Sequence, residues 1–222
     1  MKSARTVIAA MLTAAALAVG ALLTSCGNGS DSGAVNAPKL DDAGAREVLT
    51  ALLPEAQELT DIIWGEGLPV EDTQVLESVS GAQYRLVSAD SEYTSAEQIK
   101  EKAERVFSKE YLVTVYAVAF GEYEGETETA ETQEGDLFTE NELGLELRGR
   151  YTTDNNGNMY RNIAQPEYDL TTVIDPSTAV VSSVKNGVAE LEVGCTVRGE
   201  ADSMKVYLRY DGSSWLIDGP IY

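Results

Sequence analysis

Ala189-Glu190-Leu191-Glu192-Val193-Gly194-Cys195-Thr196-Val197 places an apolar residue at every odd position and a polar residue or glycine at every even one. Side chains of an extended strand point alternately to opposite faces, so this stretch has one face for a core and one for water. It is the clearest strand in the chain. Upstream, Ala179 to Val184 reaches it through Lys185-Asn186-Gly187, residues that accept the positive φ of a tight reversal. Downstream, Val206, Leu208 and Tyr210 continue the sheet, Asp211-Gly212 turns it, and Trp215 and Ile217 close it before Asp218-Gly219-Pro220. Leu145 to Thr152 and Met159 to Asn162 read as an earlier pair around the turn Asp154-Asn155-Asn156-Gly157-Asn158. The last eighty residues therefore predict a meander of antiparallel strands.

The first half has a different period. Between Ala43 and Trp64 the apolar residues Val48, Leu49, Leu52, Leu53, Ala56, Leu59, Ile62 and Ile63 fall on one helical face. Pro54 allows either one kinked helix or a second helix starting there, and Gly65, Gly67 and Pro69 end the pattern. Val70 to Gly81 reads as loop or short strand, and Ala82 to Val87 as a strand. Thr94 with Glu97, and Ser95 with Gln98, have the spacing of a capping box, so a helix starts there with Ile99, Ala103, Val106 and Phe107 inward. After Ser108, Leu112, Val115, Tyr116 and Ala119 keep the rhythm to Phe120, with a strand as the rival because Val113, Val115 and Val118 are β-branched. Helices followed by antiparallel strands predict one α+β domain over 43–222, with N-terminal helices packed on a curved antiparallel sheet of cystatin-like form.

The beginning of the chain carries an address. Lys2 and Arg5 form a short basic region, Val7 to Leu23 is an apolar stretch broken only by Thr13 and Gly20, and Leu23-Thr24-Ser25-Cys26 has the form of a lipobox. The expectation is a signal peptide over 1–25, cleavage before Cys26, and a diacylglyceryl group on that thiol. Two acyl chains anchor firmly where one exchanges, which puts the protein on the extracytoplasmic face of the membrane. Residues 26–42, rich in glycine, serine, asparagine and aspartate, read as a flexible tether.

Removing 1–25 takes away Lys2 and Arg5 and no acid, so the formal charge moves from −21 to −23. Nucleic acid is disfavoured by such a field, and cationic proteins are favoured. With Cys26 lipidated, Cys195 is the one remaining thiol and no internal disulfide is available. The chain has no histidine, which excludes Ser-His-Asp and Cys-His catalysis and His-ligated zinc.

From Glu122 to Glu142 there are nine acids and no base, a self-repelling segment read as an acidic loop. Glu124, Glu126, Glu128, Glu131, Glu134 and Asp136 are its candidate partner contacts. They lack the ordered ligand spacing of a calcium loop, and so does Asp154 to Asn158. Cys195 reads as an inert core thiol, with no neighbouring base to lower its pKa. No carboxylate pair is singled out by spacing, so no catalytic residue, cofactor or metal is expected. A second possibility is a small-molecule or peptide pocket lined by Trp215, Tyr207, Tyr210 and Tyr160.

Ala82-Gln83-Tyr84-Arg85-Leu86-Val87-Ser88, Tyr93-Thr94-Ser95-Ala96-Glu97-Gln98-Ile99 and Val106-Phe107-Ser108 resemble the DL-endopeptidase inhibitor family of Gram-positive cell walls. Gly157-Asn158-Met159-Tyr160 and the ending Tyr210-Asp211-Gly212-Ser213-Ser214-Trp215-Leu216-Ile217-Asp218 are similar to that family's hairpin and terminal strand. Such endings also occur in cystatin-like and nuclear-transport-factor-like domains. The resemblance covers roughly residues 45–220 and implies a non-enzymatic protein that blocks the cleft of peptidoglycan-cleaving cysteine peptidases. The run from Glu122 to Glu142 has no counterpart in the family's pattern.

Overall fold

The fold is known from a computed structural model, which describes residues 37–77, 82–122, 149–164 and 171–222. Helix α1 (Asp42–Ile63) starts at Asp41, whose side chain accepts the Gly44 amide. Leu40, just before it, is buried in the core, so residues 40–42, read as tether, belong to the domain. Pro54 lies inside one continuous helix. Its ring and Thr50, whose carbonyl loses the usual donor, are both exposed, on the side of the helix away from the core.

Strands β1 (Val70–Glu77) and β2 (Gln83–Val87) pair antiparallel, which settles 70–77 as strand. Helix α2 (Ala96–Val106) begins with a capping box, Ser95 accepting from Gln98 and Gln98 reaching back. Of the two predicted boxes the Ser95 one forms, and Gln98 Oε1 also takes the Thr94 amide at 2.8 Å. Helix α3 (Lys109–Phe120) follows after a break at Phe107, so the helical reading of 109–120 holds against the strand. Its valines do not forbid a helix whose N-cap, Ser108, is itself held by the sheet.

The strands divide into two sheets where the sequence predicts one meander. β3 (Tyr151–Thr153) and β4 (Met159–Asn162) join the first pair in the order β1-β2-β4-β3. β5 (Thr172–Ile174), β6 (Val180–Lys185), β7 (Val188–Val197), β8 (Glu200–Tyr210) and β9 (Trp215–Ile217) make the second, in the order β5-β7-β8-β9 with β6 also on β7. α1 and α2 pack against this second sheet, and α2 and α3 against β3 of the first, so the domain is α+β as read.

One hydrophobic cluster runs from α1 through both sheets. The inward residues of the alternating stretch, Ala189, Leu191 and Val193, are fully buried there with Leu208 and Ile217. A buried Leu or Ile contributes roughly 1.5–3 kcal/mol relative to exposure, and a one-residue slip of β7 would turn Ala189, Leu191 and Val193 to water.

Sequence patterns miss how α1 ends. None of its last-turn residues is basic, yet Arg150 Nη2 donates to the Gly65 carbonyl and Arg161 Nη1 to that of Glu66. Tyr151 donates to the Ile62 carbonyl at 2.9 Å and accepts the Leu68 amide at 3.0 Å. The negative end of the helix dipole is thus met by side chains from the first sheet.

Candidate functional site

The longest strand pairing among the described residues is the hairpin of β7 and β8. Ten cross-strand pairs run from Val188↔Arg209 to Val197↔Glu200. The reversal is Arg198-Gly199, with φ of 51° and 83°, the two left-handed residues of a type I′ turn. Its base is fixed in the core by Leu191, Val193, Val206 and Leu208, whereas Val197 through Ser203 are exposed.

A brace holds the middle of this arm. The Gly194 amide donates to Thr178 Oγ1 at 2.7 Å, and the Gly194 carbonyl accepts the Asp175 amide at 2.9 Å. A Cβ on Gly194 would come within 3.0 Å of that hydroxyl oxygen, so glycine is what lets the strap approach. Glu200 and Asp202 lie on one face of the arm, beside Val197 and Cys195, and Glu190 and Glu192 lie on the other. Lys205 bonds Glu190 at 2.6 Å, so one of these carboxylates is already paired. The arm is therefore a stiff, acid-lined projection, suited to contact with a cationic surface.

Three side-chain networks invite a chemical reading. In the first, Lys102 Nζ bonds Glu58 Oε2 at 2.5 Å and the Tyr93 hydroxyl at 2.7 Å, while Tyr93 donates to Glu58 Oε1. Burial raises the Glu58 pKa, but the hydrogen bonds from Lys102 and Tyr93 outweigh it and hold the carboxyl below its ordinary value. Burial works to lower Lys102, yet its bonds to Glu58 and Tyr93 carry it up to about 12. Burial, then the bond to Glu58, raises Tyr93. A lysine held charged and a carboxylate held ionised are poor nucleophile and poor acid at neutral pH, so this network clamps helices.

In the second, Ser108 donates to Asp218 Oδ1 and accepts the Tyr111 amide, while Arg209 Nε reaches Asp218 Oδ2 at 3.0 Å and Glu110 at 3.2 Å. The Ser108 amide also bonds the Ile217 carbonyl at 2.8 Å. This staples the α2–α3 break to β9. In the third, Asp154 accepts the amides of Asn156 and Asn158 on Oδ1, and Asn158 Nδ2 and the Tyr160 hydroxyl on Oδ2. Both oxygens are engaged by the turn itself, which accounts for the oxygen-rich stretch without an ion.

The remaining sequence candidates fall as follows. Cys195 is buried on the inner face of β7, and burial and then Asp202 push its thiol pKa up. The four aromatics proposed to line a pocket do not converge. Trp215 and Tyr210 lie 5.6 Å apart on the inner face of the second sheet, Tyr207 alternates to its outer face, and Tyr160 packs on Tyr84 in a separate small cluster of the first sheet. Cys26 and the contact candidates Glu124, Glu126, Glu128, Glu131, Glu134 and Asp136 lie outside the described residues. Among the described residues, no three Cys, Asp or Glu side chains come together as a metal site, and no helix is long and apolar enough to cross a membrane.

Sequence reasoning missed the tip of the arm, because arginine is not a usual left-handed turn residue. The signal was present in Gly199, midway between two alternating runs. No family model matches the chain, and no curated protein matches it.

Proposed function

We propose that the chain is a lipoprotein anchored through Cys26 at the extracytoplasmic face of the membrane, where its α+β domain restrains peptidoglycan DL-endopeptidases by contact. The observation that carries this reading is the β7–β8 arm. It is fixed at its base by fully buried Leu191 and Leu208, braced at Gly194, and exposed from Val197 to Ser203. A pre-organised hairpin of that kind enters a cleft without losing much conformational entropy on binding. The lipobox supports the location, and the resemblance to the endopeptidase-inhibitor family supports the class of partner. The formal charge of −21 favours encounter with a cationic enzyme surface.

The test is digestion of peptidoglycan by several DL-endopeptidases with the mature chain added. The reading expects a saturable fall in cleavage for at least one of them, and undiminished cleavage by all of them removes it. Replacing Cys26 with alanine separates location from activity: the protein should move from the detergent phase to water and still inhibit in solution.

A further inference from the structure

The two strands of the arm have unequal edges. β7 is paired on both sides, by β8 on one and by β5 and β6 on the other. β8 meets β9 only at Leu208, Arg209 and Tyr210. In a hairpin closed by a two-residue turn the closing pair exchanges both hydrogen bonds, so the even residues of β8 bond to β7 and the odd ones point away. Two bonds confirm this parity: the Tyr210 amide goes to Gly187 on the β7 side, and the Tyr207 carbonyl takes the Asp218 amide on the other. Among the described residues, nothing pairs the outward backbone of Ala201 and Lys205 or the outward carbonyl of Ser203. The Ser203 amide is taken by Asp202 Oδ1 at 2.8 Å.

We propose that this edge, Ala201 to Lys205, is a strand-addition site for an extended, cationic segment of a partner protein. The inference rests on the contact reading above and names its surface. Outward donors and acceptors at alternate residues specify an extended backbone, which adds to a sheet edge through main-chain bonds. Charge chooses the partner. Glu200 and Asp202 stand on the edge strand itself, on the face of Val197 and Cys195, and offer carboxylates to lysine or arginine side chains on that face of an added strand, while on the opposite face Lys205 is already held by Glu190. Charge opposes a second copy in three registers: self-pairing centred on Ala201 or Asp202 sets carboxylate against carboxylate, and centred on Lys205 sets ammonium against ammonium; the register centred on Ser203 opposes no like charges, and the concentration dependence below tests it.

The test uses a short synthetic peptide of alternating lysine and valine, with the mature chain, followed by amide hydrogen exchange. The peptide should slow exchange at Ala201 and Lys205 by about tenfold or more. The same peptide N-methylated at alternate residues should not. Ala201→Pro removes an outward donor that makes no bond to β7, so melting should hold while peptide binding is lost. Unchanged exchange at both residues, or a proline variant that still binds, overturns the proposal. Protection that rises with protein concentration alone overturns it in favour of a second copy. Endopeptidase inhibition is a separate readout: a tip that plugs a cleft needs no added strand, so inhibition surviving in Ala201→Pro leaves the proposed function standing and counts against the edge.

Discussion

Lys102 Nζ lies 2.5 Å from Glu58 Oε2, joining the middle of α2 to the latter half of α1 across a distance of forty-four residues in sequence. The Lys102 side chain is only 11 % exposed. A lysine that deep needs a carboxylate, and the Tyr93 hydroxyl completes the set. The pair fixes how the two helices cross and so how the curved sheet is covered.

Substituting methionine for Lys102 leaves Glu58 half-buried with one donor and should cost about 1–3 kcal/mol at neutral pH. The folded Lys102 pKa is raised, so its contribution is whole below the ordinary 10.5 and fades as pH rises through about 12. The stability gap between wild type and Lys102→Met, measured by denaturant melts, should therefore narrow across that window. The Glu58 contribution has the opposite sign: its lowered pKa makes it whole above 4.5 and lost as pH falls through the folded value. A gap unchanged at high pH contradicts the assignment.

Gly67→Ala should destabilise by about 2 kcal/mol or more, since Gly67 has φ of 74° and an added Cβ meets Arg150 Nη2 and Arg161 Cδ at 2.8 Å. Arg150 is 1 % exposed and cannot swing away. In a double-mutant cycle, Arg150→Met should absorb part of the Gly67→Ala cost, so the two changes fall short of additivity. Full additivity contradicts the contact.

Ser108→Ala removes the α3 N-cap and the bond to Asp218 together, with an expected loss of about 1–2 kcal/mol. Asp218→Asn keeps the cap and weakens only the bonds to Ser108 and Arg209, so it should cost less. Thermal melts that reverse this order contradict the staple.

In a chain carrying Cys26→Ala, Cys195 should resist thiol reagents until the protein unfolds, because it is buried and its pKa is raised. Labelling kinetics against denaturant check this, and rapid labelling of the native protein contradicts it.

These interactions differ in how far they could be read from sequence. β7 was legible because its buried face demands period two, and α2 because Ser95 and Gln98 write its cap. The division into two sheets was not, since Tyr84 and Leu86 alternate correctly whichever strand lies beside them. Only the pairing of β2 with β4, seventy-odd residues on in sequence, separates the sheets. β5 went unseen because it is three residues long and only Ile174 turns to the core, while Val173 points outward at 62 % exposure. Arg150 reads as one more surface base beside an acidic run, and only the carbonyls ending α1 explain its burial. The arm was half legible: its base carried the alternation, and its tip did not.

The most direct measurement compares inhibition of a DL-endopeptidase by the mature chain and by a variant with Glu200→Lys and Asp202→Lys. Both positions are exposed, so the fold should hold. The account predicts saturable inhibition by wild type and a loss of about tenfold or more in the variant, smaller at high salt. Equal inhibition by the two proteins, or none by either, contradicts it.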